Sequence, residues 1–401
     1  MASEEDWREI TLGDVFVLSS ERVGSYDDEP SVLSISKYDG VIPAGDFFNK
    51  RVASDKLDTY KWLRSDMWAY STIHIDEGSI ARNRLGRDGV VSPMYTLMSW
   101  SSADHLPEYF EALLRSPRML TTYRESSQGT VDRRRSLPWK VFSKLTVFVP
   151  PKSGQRRVVD VIRSVDVAIE AAVEHAHASE QAYRALLTQL CDGRYPMATT
   201  REAVSIARAG GTPSRKEEGF FGSGTPWLKS GEVDNDLIEG ASEEITQDGL
   251  KFSSAWLVPA GSTVVAMYGQ GNTKGTAGWL VEPMATNQAV LALVPNPEVV
   301  DSRFLLHAIR SRTDSLRSRA IGAAQPNLSK ELVMKEVIPL PTLAEQKSLS
   351  RLLDSLRESG TCARDEAASL GRLRSELLSS LVSGAHEIPA SYDRLLENGA
   401  V

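Results

Sequence analysis

LPTLAEQKSLSRLLDSL, residues 340–356, has a counterpart earlier in the chain: VPPKSGQRRVVDVIRSV, residues 149–165. Both stretches lead from an apolar residue and a proline to a glutamine that opens an apolar-periodic helix. An offset of 191 residues places Gln155 on Gln346 and keeps the two copies in register, without a gap, for 39 residues. The register ends near Gly193 and Gly384, each a typical stop for a helix. The sequence therefore predicts a tandem protein in which each half is a globular domain followed by a long helix.

Each predicted helix carries a narrow apolar seam rather than a broad apolar face, and alternating steps of four and three residues are typical of a coiled coil. The seam of the first copy contains Val158, Ile162, Val165, Ile169, Ala172, Ala176, Ser179, Tyr183, Leu186 and Leu190. The seam of the second copy contains Leu349, Leu353, Leu356, Gly360, Ala363, Ala367, Leu370, Arg374, Leu377 and Leu381. We expect Gly360 and Arg374 to weaken the second seam. Two unrelated amphipathic helices would not share both ends and the whole register, so the helices are predicted to pair.

The composition is that of a globular protein: of 401 residues, 41% are hydrophobic and 25% charged, enough for two or three domains with cores. No stretch is apolar for as long as a membrane helix requires, and the acidic start MASEEDWREI does not resemble a signal peptide. Two cysteines, Cys191 and Cys362, favour a reduced, cytoplasmic protein. The net charge of −7 argues mildly against nucleic acid. A local basic face remains compatible with it, because residues 115–135 hold six arginines.

The globular halves are predicted to be mixed α+β domains whose parts follow in the same order. Residues 63–72 correspond to 258–268, and residues 88–98 to 282–293, each pair preceding a short helical pattern. Low identity between the halves suggests one scaffold with two different recognition surfaces. The predicted boundaries are 1–150 and 194–341 for the domains, 151–193 and 342–384 for the long helices, and 385–401 for a C-terminal tail.

The chain lacks the usual signatures of an active site. GQGNTKG (269–275) has glycines, but their spacing fits neither nucleotide-binding fingerprint. His175 and His177 lie on different faces of a helix and are poor joint metal ligands. No adenine-methyltransferase motif is found. We therefore expect a protein that binds rather than catalyses, with no metal or cofactor of its own.

Several stretches resemble the specificity subunits of type I restriction-modification systems. GGTPSRKEEGFFGSGTPWLKSGEVDN (210–235) resembles the opening of a target-recognition domain in that family. Residues 271–295, residues 325–346 and, in the first half, residues 88–98 are also similar to it. The first half has no clear GGTPS counterpart and reads PPKSGQ where the family has an apolar-Pro-acidic-Gln pattern, so its contact residues are less defined.

The resemblance implies two tandem, pseudo-symmetric target-recognition domains, each followed by a long helix, with the helices paired as an antiparallel coiled coil. Each domain would read one half of a split, asymmetric target in double-stranded DNA, and the helices would set the distance between the half-sites. Two methyltransferase subunits would dock around the helices, and restriction endonuclease subunits would join them in phage defence. S-adenosylmethionine would be held by the methyltransferase partner and not by this chain.

Candidate DNA contacts are donors and acceptors on loops, since Arg or Lys suits guanine and Asn or Gln suits adenine. In the second half they are Lys229, Ser230, Tyr268, Gln270, Asn272, Thr273 and Lys274. In the first half they are Ser36, Lys37, Tyr38, Tyr70, Ser71 and His74, with Arg133, Arg134 and Arg135 suited to phosphates. The plainer alternative is an ordinary glycine loop or charged turn with solvated polar groups. For Asn287 and Gln288, bonding to loop backbone is at least as good an explanation as base contact.

Two other functions compete with this interpretation. The chain could be the recognition component of another methylation-based defence system, whose sequence would look the same. It could also be a coiled-coil scaffold that binds only protein, in which case it would not bind DNA in a salt-dependent way. The helix-opening residues Gln155, Arg156, Gln346 and Lys347 are expected to cap their helices or to make hinge contacts with the opposite domain.

Overall fold

The computed structural model describes residues 7–24, 30–47, 57–128, 136–233, 237–269, 273–321 and 327–394. The chain forms two compact units. Unit one contains Met1–Ala171 and Glu366–Val401, and unit two contains Ala172–Asp365. Each unit combines one globular α+β domain with one half of each long helix, so the compact units divide the helices that the sequence boundaries keep whole.

Unit one is built on an antiparallel sheet with flanking ribbons. Its strands are β1 (Arg8–Thr11), β2 (Phe16–Ser19), β3 (Leu33–Ser36), β4 (Gly40–Pro43), β5 (Lys61–Leu63), β6 (Trp68–Ser71), β7 (Ile80–Arg82), β8 (Gly89–Val91), β9 (Tyr95–Trp100) and β10 (Thr146–Val149). Its helices are α1 (Leu12–Val15), α2 (Ala44–Phe47), α3 (Pro107–Leu114), α4 (Pro117–Ser126), α5 (Trp139–Phe142) and the first half of α6 (Lys152–Leu190). The sheet order is β2–β9–β6–β7, and β1–β10, β3–β4 and β5–β8 pair as antiparallel ribbons.

Unit two repeats this plan, with one strand more in its main sheet. Its strands are β11 (Met197–Thr199), β12 (Val204–Ala209), β13 (Phe221–Leu228), β14 (Leu237–Ile238), β15 (Glu244–Ile245), β16 (Thr263–Ala266), β17 (Ala277–Leu280), β18 (Ala285–Thr286), β19 (Val290–Pro295) and β20 (Val337–Pro339). Its helices are α7 (Thr200–Ala203), α8 (Gln247–Lys251), α9 (Ser302–Arg310), α10 (Thr313–Ile321), α11 (Lys330–Lys335) and part of α12 (Leu343–Val382). The main sheet has the order β12–β19–β16–β17–β14, and β13 pairs with β15 and β18.

The two domains share one topology, as the internal repeat predicts. β2–β9–β6–β7 corresponds to β12–β19–β16–β17, and the ribbon β1–β10 corresponds to β11–β20. In both domains a one-turn helix follows the first strand, and its N-cap residue is bonded in the same way. The backbone N–H of Thr11 donates to Asp14, and that of Thr199 donates to Glu202, each over 2.7 Å. The predicted α+β fold class is confirmed.

The long helices are part of both hydrophobic cores. In unit one, Val158 and Ile162 of α6 and Leu381 of α12 pack with the aromatic residues of the sheet. In unit two, Tyr183 and Leu187 of α6 and Leu353 of α12 join the residues of β16, β19 and α9. Burial of these apolar side chains is the main force that attaches each domain to its helices.

Within each unit, α6 and α12 pair in opposite directions, and every predicted seam residue is buried or half-buried. Gly360 and Arg374, the two predicted weak points of the second seam, both lie against residues of α6. In unit two, a Cβ at Gly360 would lie 3.3 Å from Ser179 Cβ and 3.6 Å from Ala176 O, so this glycine allows close approach of the helices. In unit one, Arg374 forms an ion pair with Asp166 of α6, including a hydrogen bond of 3.1 Å. A charge at the seam is tolerated because its partner stands on the facing helix.

The helix-opening glutamines are fully buried, and each is hydrogen-bonded within its own domain. Gln155 accepts a hydrogen bond of 2.8 Å from the backbone N–H of Leu106 and donates to Pro150 O. Gln346 accepts one of 2.7 Å from the backbone N–H of Asp301 and donates to Pro341 O. Leu106 and Asp301 are the N-cap residues of α3 and α9. The repeated glutamine therefore ties the start of each long helix to the equivalent helix of its domain.

The described part of the predicted tail packs on unit one rather than extending freely. Arg157 of α6 makes two hydrogen bonds with Asp393, of 2.8 and 2.9 Å. The indole N–H of Trp7 donates to Glu387 over 3.1 Å, and Ile388 packs against the core of the unit. Residues 385–394 thus hold the start of β1 and the start of α6 together.

Candidate nucleic-acid interface

In unit two, two of the predicted stretches lie side by side. The loop 267–276 joins β16 to β17, and Lys229 and Ser230 stand at a short 3₁₀ turn, Ser230–Glu232. The hydroxyl of Thr276 donates to Val233 O over 2.9 Å, which attaches the end of the loop to the end of the turn. The fold therefore brings together candidates that are about 40 residues apart in the sequence. Gln270 and Asn272 lie outside the described residues.

Glycines shape the described parts of this loop. Gly275 has a φ of +80°, in the left-handed region that favours glycine. Gly269 has a φ of +155°, and a Cβ there would come within 2.7 Å of Thr273. Arg317 of α10 donates to Lys274 O over 2.9 Å, and Tyr268 is 41% exposed. Arg317 thus fixes the loop from the protein side while Tyr268 faces solvent, as contact with a large ligand requires.

Lys229 belongs to a cluster of charged side chains. Its ammonium group lies 2.9 Å from Glu243 Oε1, and Arg215 lies 2.6 Å from Glu243 Oε2. The hydrogen bond with Glu243 raises the pKa of Lys229, and the bonds from Lys229 and Arg215 lower the pKa of Glu243. Lys229 and Glu243 are therefore both ionised at neutral pH. Glu232 also accepts the backbone N–H of Lys229 over 2.9 Å, so two cations and two carboxylates meet at this surface.

Arg215 is a residue that the sequence analysis missed, although it lies within the quoted GGTPSR stretch. Its guanidinium covers the ring of Phe221 at 4.1 Å and faces Trp227 at 5.6 Å. The two glycines before it allow close packing: a Cβ at Gly210 would lie 1.9 Å from Thr286 O, and one at Gly211 would lie 2.2 Å from Ser254 Oγ. The available signal was an arginine two residues after the Gly-Gly-Thr-Pro stretch.

In unit one, Lys37, Tyr38 and His74 form the corresponding surface. Lys37 and Tyr38 are exposed in the turn between β3 and β4, Tyr38 to 77%. His74 is exposed in the loop between β6 and β7, the equivalent of the loop 267–276. Glu77 joins the two segments, since its carboxylate lies 3.8 Å from Lys37 Nζ and 2.9 Å from His74 Nδ1. The fold therefore brings these candidates together as well.

Three candidates of unit one are structural in this fold, so their prediction as surface contacts needs correction. Tyr70 is fully buried in the central strand β6, stacks on Phe142 and donates to Leu137 O over 3.1 Å. Burial raises the pKa of its hydroxyl to about 12. Ser71, the next residue of β6, is buried too, and Ser36 accepts backbone N–H bonds from Tyr38 and Asp39. These side chains shape the surface but do not reach it.

Arg133, Arg134 and Arg135 lie outside the described residues. A different arginine of the basic stretch reaches the site. Arg115, at the end of α3, donates to Tyr38 O over 3.1 Å and also to Lys37 O. It supports the turn of Lys37 and Tyr38 from the protein side.

Several other predicted roles are clear in the structure. Asn287 Oδ1 accepts a hydrogen bond of 3.0 Å from the N–H of Ala289, which confirms its bonding to loop backbone. Gln288 is exposed and bonded to the hydroxyl of Thr212. Among the described residues, no cluster of three or more His, Cys, Asp or Glu side chains could hold a metal ion. None of the described helices is both long and apolar enough to cross a membrane.

Comparison with known proteins matches part of the chain to one family model. Residues 201–363 match the family model of the type I restriction modification DNA specificity domain. The EcoR124I/EcoR124II specificity subunit of Escherichia coli is 25% identical over 202 residues, which are 49% of this chain and 50% of the relative. The match therefore spans about half the length of that relative. The HindI specificity subunit of Haemophilus influenzae is 22% identical, over 94% of this chain and 99% of the relative.

Solved structures are similar over nearly the whole chain. A chain from a study of complex assembly and conformational transition of the type I R-M system has a TM-score of 0.57 and 16% identity. The similarity covers 94% of this chain and 97% of that chain. At this identity the likeness establishes the fold, including two domains and long paired helices.

Proposed function

We propose that this chain is a type I restriction-modification specificity subunit, which reads the DNA target for a methyltransferase and endonuclease complex. Each globular domain recognises one half of a bipartite, asymmetric sequence in double-stranded DNA. The paired helices set the spacer between the half-sites and dock two methyltransferase subunits, which restriction endonuclease subunits join. The chain itself is not catalytic. S-adenosylmethionine is bound by the methyltransferase, and the complex works in the cytoplasm.

The observation that carries this proposal is that one scaffold presents two different surfaces. The loops β6–β7 and β16–β17 occupy equivalent positions in the two sheets. These loops and the turns next to them carry Lys37, Tyr38 and His74 in one domain, and Lys229, Tyr268 and Lys274 in the other. Since different donors and acceptors select different bases, equivalent loops with different side chains suit a target whose two halves differ.

The helices have the dimensions of a spacer. Each helix of about 40 residues extends for about 60 Å at 1.5 Å per residue, which exceeds the length of one DNA turn, about 34 Å. A helix of fixed length would thus hold two readers at a fixed separation. Val167 and Val173 of α6 are more than half exposed, which supports the use of its outer faces for partner subunits.

Co-expression with the neighbouring methyltransferase gene, followed by single-molecule sequencing for modified adenines, tests this function. We expect a split motif, two short specific blocks around a fixed nonspecific gap. A chimera in which residues 194–341 come from a relative should change one block and leave the other block and the gap intact. If the same methyltransferase modifies DNA with another specificity chain but never with this one, the proposal is wrong.

A further inference from the structure

A network of buried polar side chains lies in unit two, next to the end of the loop 267–276. Tyr183 of α6 is 4% exposed, and its hydroxyl lies 3.1 Å from His307 Nδ1 and 3.3 Å from Arg310 Nη1. His307, on α9, is fully buried, and its Nε2 lies 2.9 Å from Asp354 Oδ1 on α12. These four side chains join both long helices to α9.

The same network extends to the end of the loop 267–276. Arg310 donates from Nε and from Nη2 to Ala277 O, over 3.3 Å in each case. Ala277 is the first residue of β17 and follows the loop directly. A second arginine, Arg317 of α10, binds the loop at Lys274 O. The end of the loop is thus positioned by side chains that belong to the helices behind the sheet.

The hydrogen bonds of this network can all be assigned in one direction, from the first donor to the last acceptor. Arg310 donates to the oxygen of Tyr183, the Tyr183 hydroxyl donates to His307 Nδ1, and the Nε2–H of a neutral His307 donates to Asp354. Because each group that accepts one hydrogen bond donates the next one, the Tyr183 hydroxyl is the central member of the network. A consistently directed, buried network fixes its members more firmly than exposed pairs do.

Unit one is built differently at the equivalent place. When Leu106 is aligned with Asp301, Ala112 stands in place of His307, and Arg115 in place of Arg310. Arg374 stands in place of Tyr183 and pairs with Asp166. Arg115 binds the turn of Lys37 and Tyr38 directly. The connection through a tyrosine and a histidine is therefore a feature of the second domain.

We propose that Tyr183 and Arg310 are positioning residues for base reading by the second domain, because they hold the end of the loop, where residues 273–276 lead into Ala277, in register with the two long helices. This inference rests on the proposed function. It assigns a role in sequence discrimination to side chains that are buried and do not touch DNA. It also makes the helices part of the reading device and not only a spacer.

Tyr183→Phe tests this role, since it removes the central hydroxyl and keeps the ring in the core. We expect methylation at sites with one mismatch in the block read by the second domain to rise about five- to tenfold relative to the full site, as one buried hydrogen bond is lost. Mismatches in the other block should be methylated as in the wild type. The chimera of residues 194–341 identifies which block belongs to the second domain.

Tyr123→Phe is the matched control. Tyr123 is also a fully buried tyrosine, and its hydroxyl donates to Leu114 O over 3.1 Å in unit one. This variant loses one buried hydrogen bond but should leave discrimination in the second block unchanged. Equal effects of Tyr183→Phe on both blocks, or no effect on either, would overturn the positioning role and leave a purely structural one.

Hydrogen exchange of the full chain provides a readout that does not depend on methylation. The amide of Gly275 is bonded to Ala266 O at 2.8 Å. Tyr183→Phe should speed its exchange, and Tyr123→Phe should not. If the wild-type chain directs no methylation by a methyltransferase that is active with another specificity chain, the proposed function fails. The exchange measurement then tests by itself whether Tyr183 positions the end of the loop. Unchanged exchange at Gly275 would then overturn the positioning role.

Discussion

The side chain of Gln346 accepts a hydrogen bond of 2.7 Å from the backbone N–H of Asp301, the residue that caps α9. Gln155 repeats this bond with Leu106 at the start of α3. In both domains one buried amide satisfies a helix N-cap and a proline carbonyl together. The repeated glutamine is therefore the joint between domain and helix, which explains why it opens both copies.

Replacement of this glutamine should be costly. Gln346→Leu keeps the approximate volume but leaves the N–H of Asp301 and the carbonyl of Pro341 buried without their partner. We expect a loss of about 2–4 kcal/mol in the free energy of unfolding of unit two, at about 1–2 kcal/mol for each unsatisfied group. Urea unfolding measures it. Gln189→Leu, at an exposed position of α6, is the control and should cost less than about 0.5 kcal/mol. Equal effects of the two variants would contradict the joint.

The close approach at Gly360 predicts opposite results for two helical glycines of α12. Gly371 has no heavy atom within 4 Å of an added Cβ, so Gly371→Ala should stabilise the helix by about 0.5–1 kcal/mol. Gly360→Leu should instead destabilise by about 1–3 kcal/mol, because its side chain would press on Ser179 and Ala176. Thermal unfolding of the full chain compares them. A Gly360→Leu variant that is as stable as the wild type would show that the helices do not meet there.

Salt dependence should reveal whether Lys229 faces phosphates. With target DNA, Lys229→Met is expected to weaken binding and to lower the slope of log affinity against log salt by about one, the value for one lost phosphate contact. Lys347→Met, at an exposed position of α12, should leave the slope unchanged. Fluorescence anisotropy at several salt concentrations measures both. An unchanged slope for Lys229→Met would remove this residue from the interface.

Acid should destabilise unit two through His307 and Asp354. Burial lowers the pKa of His307 despite the contact with Asp354, so the unfolded chain binds this proton more readily, and stability falls as the pH drops below about 6.5. Burial opposes ionisation of Asp354, but hydrogen bonds from His307 and Arg303 lower its pKa from 3.8 to about 2. Its contribution is therefore present above pH 3.8 and is lost as the pH falls towards about 2.

Calorimetry between pH 7 and pH 5 separates the contribution of His307. His307→Asn should lower the melting temperature at pH 7 and flatten its decline towards pH 5. His177→Asn, at an exposed position of α6, should leave the profile unchanged. A decline that stays as steep without His307 would mean that other groups control the acid response.

The repeat, both seams and the main strands could be predicted because they depend on local periodicity. The paired stretches 63–72 and 258–268 contain β6 and β16, which are equivalent strands of the two sheets. The candidate site was predicted less completely. Tyr70 looks like a loop residue in the sequence, but β6 is the strand between β9 and β7, so its side chains are covered. Arg115 and Arg215 were missed as site residues because their partners, Tyr38 and Glu243, are 77 and 28 residues away.

The sequence by itself determined the tandem plan, because an offset of 191 residues and a seam with steps of four and three can be read without knowing any contact. Only the tertiary structure decided what the polar residues do. Whether Arg374 weakens a seam or pairs with Asp166, and whether Tyr183 is only a core aromatic or the centre of a network, depends on which side chain stands opposite. Apolar burial follows a periodic pattern along one chain, whereas a buried hydrogen bond needs a particular partner at a particular distance. That partner is supplied by the fold.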